Sequence, residues 1–266
     1  MQLAVLFWFY KEPEICENRL QLIKKGNPDI KIFGLYGGKK SDAQKYKKKL
    51  SKYLSDFYVS AYHNKPKRWK WIHGDIMLLE WYLKRGRKLR WDSVVVTQWD
   101  ILVIGSVKKQ FAGIKKGEMF LSGLRVLDRN IEKKWNWTQA KHPKNRKDYL
   151  AFKEYIREKY NYTSKLLCCL FILELFPRDF FKKWQLLPSK EMGMLEYSLP
   201  THAKILHTPF FKKNLGVWWF NKKDNKRNTP LNARGIKIKE SFIRSELKKK
   251  RGFRIFHPYR KMWSGD

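Results

Sequence analysis

The chain has 266 residues, 43% hydrophobic and 16% aromatic, enough apolar surface for a substantial core, which excludes a disordered protein. Lys and Arg number 59 against 24 Asp and Glu, and the formal net charge of +35 attracts polyanions: nucleic acid, anionic lipid headgroups, acidic polysaccharide or nucleotide phosphates. Its cysteines, Cys16, Cys168 and Cys169, have no Cys-x-x-Cys spacing, so neither a zinc site nor a disulfide framework is supported and a reducing cytosol is expected.

Residues 3–10 predict a first strand, since the apolar run has no basic segment before it and no small-residue cleavage site. Ile15, Leu20 and Ile23 recur at helical spacing over 14–25, and Asn27-Pro28-Asp29 ends that helix. A second strand over 30–36 closes at Gly37-Gly38. Ala43, Tyr46, Leu50, Tyr53, Leu54 and Phe57 then line one face of a second helix. A short third strand over 57–61 and a basic loop over 63–70 lead to an apolar helix over 75–84. Val94, Val95 and Val96 form a fourth strand, apolar enough to be buried on both faces of a sheet. This alternation predicts a parallel α/β sheet with right-handed crossovers.

The second half is less regular. Residues 118–126 and 166–175 predict strands, and 145–160 a helix. Further helices are expected from Pro177 to 184, over 200–206 and over 239–251. Trp218, Trp219 and Phe220 form an aromatic knot before a polar loop over 221–232, and a tail runs from 252 to 266. The run 166–176 is too short to cross a bilayer and is broken by Glu174. Without an internal repeat or a long linker, residues 1–266 predict a single domain.

Four segments could meet at the carboxyl edge of the sheet, where open α/β folds bind ligands. The first is the turn after strand one, with Tyr10 and Lys11. Tyr36-Gly37-Gly38 follows strand two, its paired glycines allowing close backbone approach and the next lysines suiting phosphate. His73 and Asp75 stand at the start of the apolar helix, where Asp75 could equally be a helix cap. Gln98-Trp99-Asp100 then puts a carboxylate where the fourth strand ends. A charge there is costly unless it meets water, a partner or a metal. No G-x-G-x-x-G or Walker A pattern occurs.

In their order, these turns resemble the GT-A class of glycosyltransferases, and most closely a bacterial and viral branch with Gln-Trp-Asp at the Asp-x-Asp position. The resemblance covers most of the chain. It implies a single GT-A-like, Rossmann-like α/β domain with a mostly parallel central sheet flanked by helices. The nucleotide-sugar half would span about 1–110, and the acceptor half with the tail about 111–266. Tyr10, Lys11, Tyr36, Gly37, Gly38, His73, Asp75, Gln98, Trp99 and Asp100 would then lie on the donor side. Mn²⁺ or Mg²⁺ would be held by Asp100 and by His257, from the tail segment Phe256-His257-Pro258-Tyr259. Gln98 leaves the first acidic slot of the motif without a carboxylate. An acid in the segment before the 200–206 helix would be the catalytic base, Glu196 by its spacing, with Glu191 in reserve.

The reaction so implied moves a sugar from a nucleotide-diphospho donor, a UDP-sugar foremost, to a hydroxyl on a glycan or lipid-linked acceptor, with inversion. A cytoplasmic location is expected, with peripheral association to an anionic membrane as an option. Two other classes compete. Lys, Arg and Trp interleave in 63–71 and 251–263, as in a nucleic-acid-binding protein, though no recognisable nucleic-acid module is present. A non-catalytic peripheral membrane protein would use the same residues at the lipid surface.

Overall fold

The β-branched and aromatic runs of the first half become strands, and helices follow β1, β2 and β3. The computed structural model describes residues 1–188, 191–219 and 229–265. The first half runs β1 (Leu3–Phe9), α1 (Pro13–Gly26), β2 (Lys31–Tyr36), α2 (Ala43–Leu50), β3 (Asp56–Val59), α3 (Lys67–Ile72), α4 (Gly74–Lys84), β4 (Ser93–Gln98), β5 (Leu102–Val103) and α5 (Val107–Gln110). The second half adds β6 (Phe120–Leu121), β7 (Arg125–Val126), α6 (Arg129–Lys134), α7 (Pro143–Tyr160), β8 (Leu167–Cys168), β9 (Glu174–Pro177), α8 (Arg178–Trp184), α9 (Leu195–Ile205), β10 (Val217–Trp218), β11 (Leu231–Asn232), α10 (Glu240–Lys248) and β12 (Ile255–Phe256).

The main sheet has six strands in the order β3-β2-β1-β4-β9-β6. β1 pairs in parallel with both β2 and β4, while β9 runs antiparallel between β4 and β6. This is the mostly parallel, helix-flanked α/β architecture predicted from the sequence. β1 is buried along its whole length, as its apolar sequence requires of a strand covered on both faces. β5 pairs with β12, which brings the C-terminal tail against the turn that carries Asp100.

Five local expectations are corrected. The basic loop over 63–70 contains helix α3, which projects its cations along one wall of a cleft. The strand over 118–126 is split into β6 and β7 by a turn at Gly123, whose φ of 65° lies in the left-handed region. The strand over 166–175 is also split. Its peptide groups bond to side chains instead of a ladder: Phe171 N–H to Glu196 (2.8 Å), Ile172 N–H to Glu174 (2.9 Å) and Leu173 N–H to Ser122 (3.2 Å). Finally, Pro177 ends β9 instead of opening the next helix, and the helix expected at 200–206 begins at Leu195 with Pro200 inside it.

That internal proline has a structural consequence. Pro200 has no N–H to offer the carbonyl one turn back, that of Glu196. The Glu196 carbonyl accepts instead from Cys169 N–H at 2.8 Å, which ties α9 to the bent segment beside the sheet. Phe220 and most of the polar loop over 221–232 lie outside the described residues, whereas Leu231 and Asn232 form β11.

Two glycines let α4 and the end of β2 close on the indole of Trp8. A Cβ at Gly74 would stand 2.3 Å from Trp8 Cη2, and one at Gly37 would stand 3.2 Å from Trp8 Nε1. Trp8 is 5% exposed, so its indole can yield only by displacing its neighbours or entering the cleft it borders. Gly74→Ala should therefore destabilise the fold by about 1–3 kcal/mol, the usual cost of overpacking, readable as a lowered denaturation midpoint. An unchanged midpoint would show that the indole can move.

Candidate active site

At the carboxyl ends of β1 and β4 opens a cleft of about 550 Å³. Tyr10, Lys11, Gln98, Trp99, Asp100, Glu196 and His257 all line it. Tyr36, Gly37, Gly38, His73, Asp75 and Glu191 are not among its lining residues. The sequence-predicted residues thus divide into a group brought together, a group spent on packing, and Glu191, which belongs to neither.

The packing group has clear local reasons. Tyr36 is buried and its hydroxyl donates to the Lys39 carbonyl at 3.0 Å. A Cβ at Gly38 would lie 2.4 Å from the Tyr36 hydroxyl, so this glycine admits protein and not a ligand. Asp75 is 2% exposed in the first turn of α4, where burial pushes its carboxyl up to about 8. His73 packs against Trp69 at 5.4 Å between ring centroids, and burial lowers its pKa against the opposing pull of Glu191. Glu191 itself is exposed.

Asp100 lies in the turn after β4. Its backbone carbonyl accepts from Tyr259 N–H at 2.8 Å, locking the tail beside it. Its carboxylate faces His257 Nε2 at 3.7 Å and Arg260 Nε at 3.6 Å. The His257 Nδ1 atom is 2.8 Å from the Asn232 carbonyl, so it must carry the proton and donate. Burial pushes the imidazolium of His257 down, with Asp100 pulling the other way. In the neutral ring, the Nε2 lone pair then points at a carboxylate oxygen with no proton between them. Two such acceptors fit a shared hard cation, with Arg260 neutralising the outer oxygen. Among the described residues no group of three or more His, Cys, Asp or Glu side chains could hold a metal. A divalent ion would have Asp100 and His257 as its protein ligands and would complete its shell with phosphate and water.

Gln98 has a protein partner where the motif would have an acid. Its Nε2 donates to the Phe171 carbonyl at 3.3 Å, a bond no carboxylate could make. The same Phe171 gives its N–H to Glu196 Oε1 at 2.8 Å. One residue therefore links the end of β4 to the first turn of α9. Glu196 is buried, and burial pushes its pKa from 4.5 up to about 7, with the Phe171 N–H acting in the opposite sense. Lys11 lies over the Trp99 ring at 4.6 Å, and Tyr10 meets the same ring edge-on at 6.0 Å.

No protein-family model matches the chain, and no curated protein does. Among solved structures it is similar to an active-site mutant of LgtC, with 9% identity over 84% of this chain and 80% of that one, TM-score 0.46. It is also similar to mouse xyloside xylosyltransferase 1, with 9% identity, coverage of 96% and 97%, and TM-score 0.43. A cytidylyltransferase from Leptospira borgpetersenii matches with 11% identity, coverage of 80% and 76%, and TM-score 0.43. Likenesses this distant carry no argument about function, which rests on the cleft itself.

Sequence reasoning missed Arg260 and the device that places it. Arg19, buried on α1, donates to the carbonyls of Tyr259 (2.8 Å) and Lys261 (2.6 Å), on either side of Arg260. Asn18 holds the Trp263 backbone through both its amide groups. Nothing in the spacing of Asn18 and Arg19 signals this, because their partners are some 240 residues away. Arg19→Met should strand the buried Tyr259 carbonyl and cost about 1–3 kcal/mol, measured by chemical denaturation, whereas the part-buried Lys261 carbonyl can turn to water. A loss below 1 kcal/mol would mean that β12 pairing and the Asn18 bonds hold the tail without Arg19.

Proposed function

We propose that this chain is a GT-A-type glycosyltransferase that moves a sugar from a nucleotide-diphospho donor, foremost a UDP-sugar, to a hydroxyl on a glycan or lipid-linked acceptor. The observation that carries the reading is the presence, in one cleft, of two acids in different surroundings. Asp100 sits beside the neutral His257 ring and the Arg260 cation, and Glu196 stands apart with its pKa near 7. Displacing a nucleoside diphosphate calls for neutralisation of the leaving group and a base for the incoming hydroxyl, supplied from different walls.

In this mechanism Arg260 and Lys11 face the diphosphate, while Asp100 orients Arg260. Mn²⁺ or Mg²⁺, held by Asp100 and His257, would supply Lewis-acid neutralisation of phosphate charge. Glu196 Oε2 accepts the acceptor proton, while Oε1 stays fixed by the Phe171 N–H. Direct attack on the face opposite the leaving group makes the transfer inverting. Tyr10, backed by the buried Trp99 ring, offers aromatic surface to the nucleoside end. Association with an anionic membrane surface accompanies a lipid-linked acceptor and follows from the net charge.

The test is thermal stabilisation by UDP, GDP, CDP and their sugars, with and without Mn²⁺. A ligand at one hundred times its dissociation constant adds about 2.7 kcal/mol of stability. Stabilisation by one nucleotide class, followed by release of that diphosphate on adding acceptor, is expected. Binding of every polyanion alike, collapsing at moderate salt, would instead favour a nucleic-acid-binding protein.

A further inference from the structure

Helix α3 contributes Lys67, Arg68 and Lys70 to one wall of the cleft, and none of these cations is matched by an acid there. The acidic residues among the described lining residues are Asp100 and Glu196. Asp100 already faces His257 and Arg260, at the edge formed by β4 and the tail. Lys70 donates to two backbone carbonyls, those of Gly37 at 2.7 Å and His63 at 2.6 Å. Its charge is thereby oriented but not neutralised.

Arg68 has the most developed surroundings. Its Nη2 donates to Asn145 Oδ1 at 2.7 Å, and Asn145 in turn donates to the Asn136 carbonyl at 2.8 Å. The guanidinium lies over the Trp137 ring at 5.9 Å. A neutral amide and an aromatic face thus fix its orientation and leave N–H groups of the fork unspent. Beside it, Lys67 lies over Trp71 at 4.8 Å, and that indole is 53% exposed although it lines the cleft. An exposed indole is a flat apolar face on which a sugar ring can rest. A planar guanidinium pairs most closely with a planar carboxylate, through two parallel bonds.

We infer that the α3 wall is a second anion site, apart from the diphosphate end, which binds the carboxylate of a uronic acid through Arg68 while Trp71 carries its ring. The inference rests on the glycosyltransferase reading and names a substrate class for it: one of the two sugars is acidic. That acidic sugar is either the donor's or the acceptor's, with the same carboxylate chemistry in both cases.

Binding at 150 mM salt tests it in two arms. The donor arm compares UDP, UDP-glucose and UDP-glucuronate; the acceptor arm compares oligogalactose with oligogalacturonate of equal length. In one arm the carboxylate form should bind about 10- to 100-fold more tightly, the worth of one or two charge-assisted hydrogen bonds. Arg68→Gln should remove that preference and leave UDP affinity unchanged, and the arm that responds identifies the source. Lys48→Gln, on the exposed face of α2, controls for general charge and should keep the preference. Equal binding of acidic and neutral sugars in both arms overturns the inference. So does a loss of UDP affinity in Arg68→Gln, which would put Arg68 on the diphosphate, or an equal loss in Lys48→Gln. The parent reading fails separately, as absence of UDP-sugar hydrolysis and transfer by the unaltered protein while a carboxylate preference persists.

Discussion

Asp100→Asn is expected to lower sugar transfer by about 10²–10³-fold or more, the range seen when one preorganised electrostatic partner of a reacting group is removed. The side chain keeps its shape, so the turn after β4 and its bond from Tyr259 N–H to the Asp100 carbonyl should survive. What disappears is the charge that holds Arg260 and that, together with His257, would bind a divalent ion. Because Arg260 is 58% exposed, the pair adds little to stability, and the denaturation midpoint should move by less than about 1 kcal/mol. Initial rates with a saturating nucleotide sugar, alongside a thermal melt, separate the two effects. Full activity in a folded variant would remove Asp100 from the site.

Glu196→Gln should slow transfer by about 100-fold or more, with donor binding retained, since loss of a general base affects the proton transfer and not the nucleotide contacts. Its pH behaviour is distinctive. The pKa is raised to about 7, so only above that value is Glu196 largely ionised and able to accept a proton. The rate should climb through pH 7, and this limb should vanish in the glutamine variant. Stability runs the other way. A carboxyl whose pKa is higher folded than unfolded stabilises the fold while protonated, so its contribution is complete below about 4.5 and is lost as the pH rises through 7. The glutamine variant should show a shallower decline over that window. Near-normal turnover in this variant together with a dead Glu191→Gln would move the role to Glu191, and normal turnover in both would end the carboxylate-base mechanism.

Much of the first half was legible because its signals are local. Continuous β-branched runs such as Val94 to Val96 can be satisfied only inside a covered sheet, and the alternation with helices fixes parallel pairing. Asp100 was legible for the same reason, as a charge at the end of a buried strand. Gly37, Gly38 and Asp75 do not line the cleft, and the same residue types serve close packing and helix starts as readily as ligands. In the second half, the segment 170–173 carries strand-forming residues, yet its peptide groups bond to Ser122, Glu174 and Glu196. Such competition between side chains and a ladder is invisible until the partners are brought together.

The sequence by itself determined the class of fold, the position of Asp100 at the sheet edge and the excess of positive charge, since each depends on neighbouring residues or on composition alone. Only the tertiary structure decided which acids share a cleft, that Gln98 and Glu196 meet through Phe171, and that Arg19 brings Arg260 to Asp100. Those outcomes depend on hydrogen bonds and burial between residues as many as 240 positions apart. A carboxylate's pKa and a cation's partner are set by what surrounds them in space, and no local pattern records that.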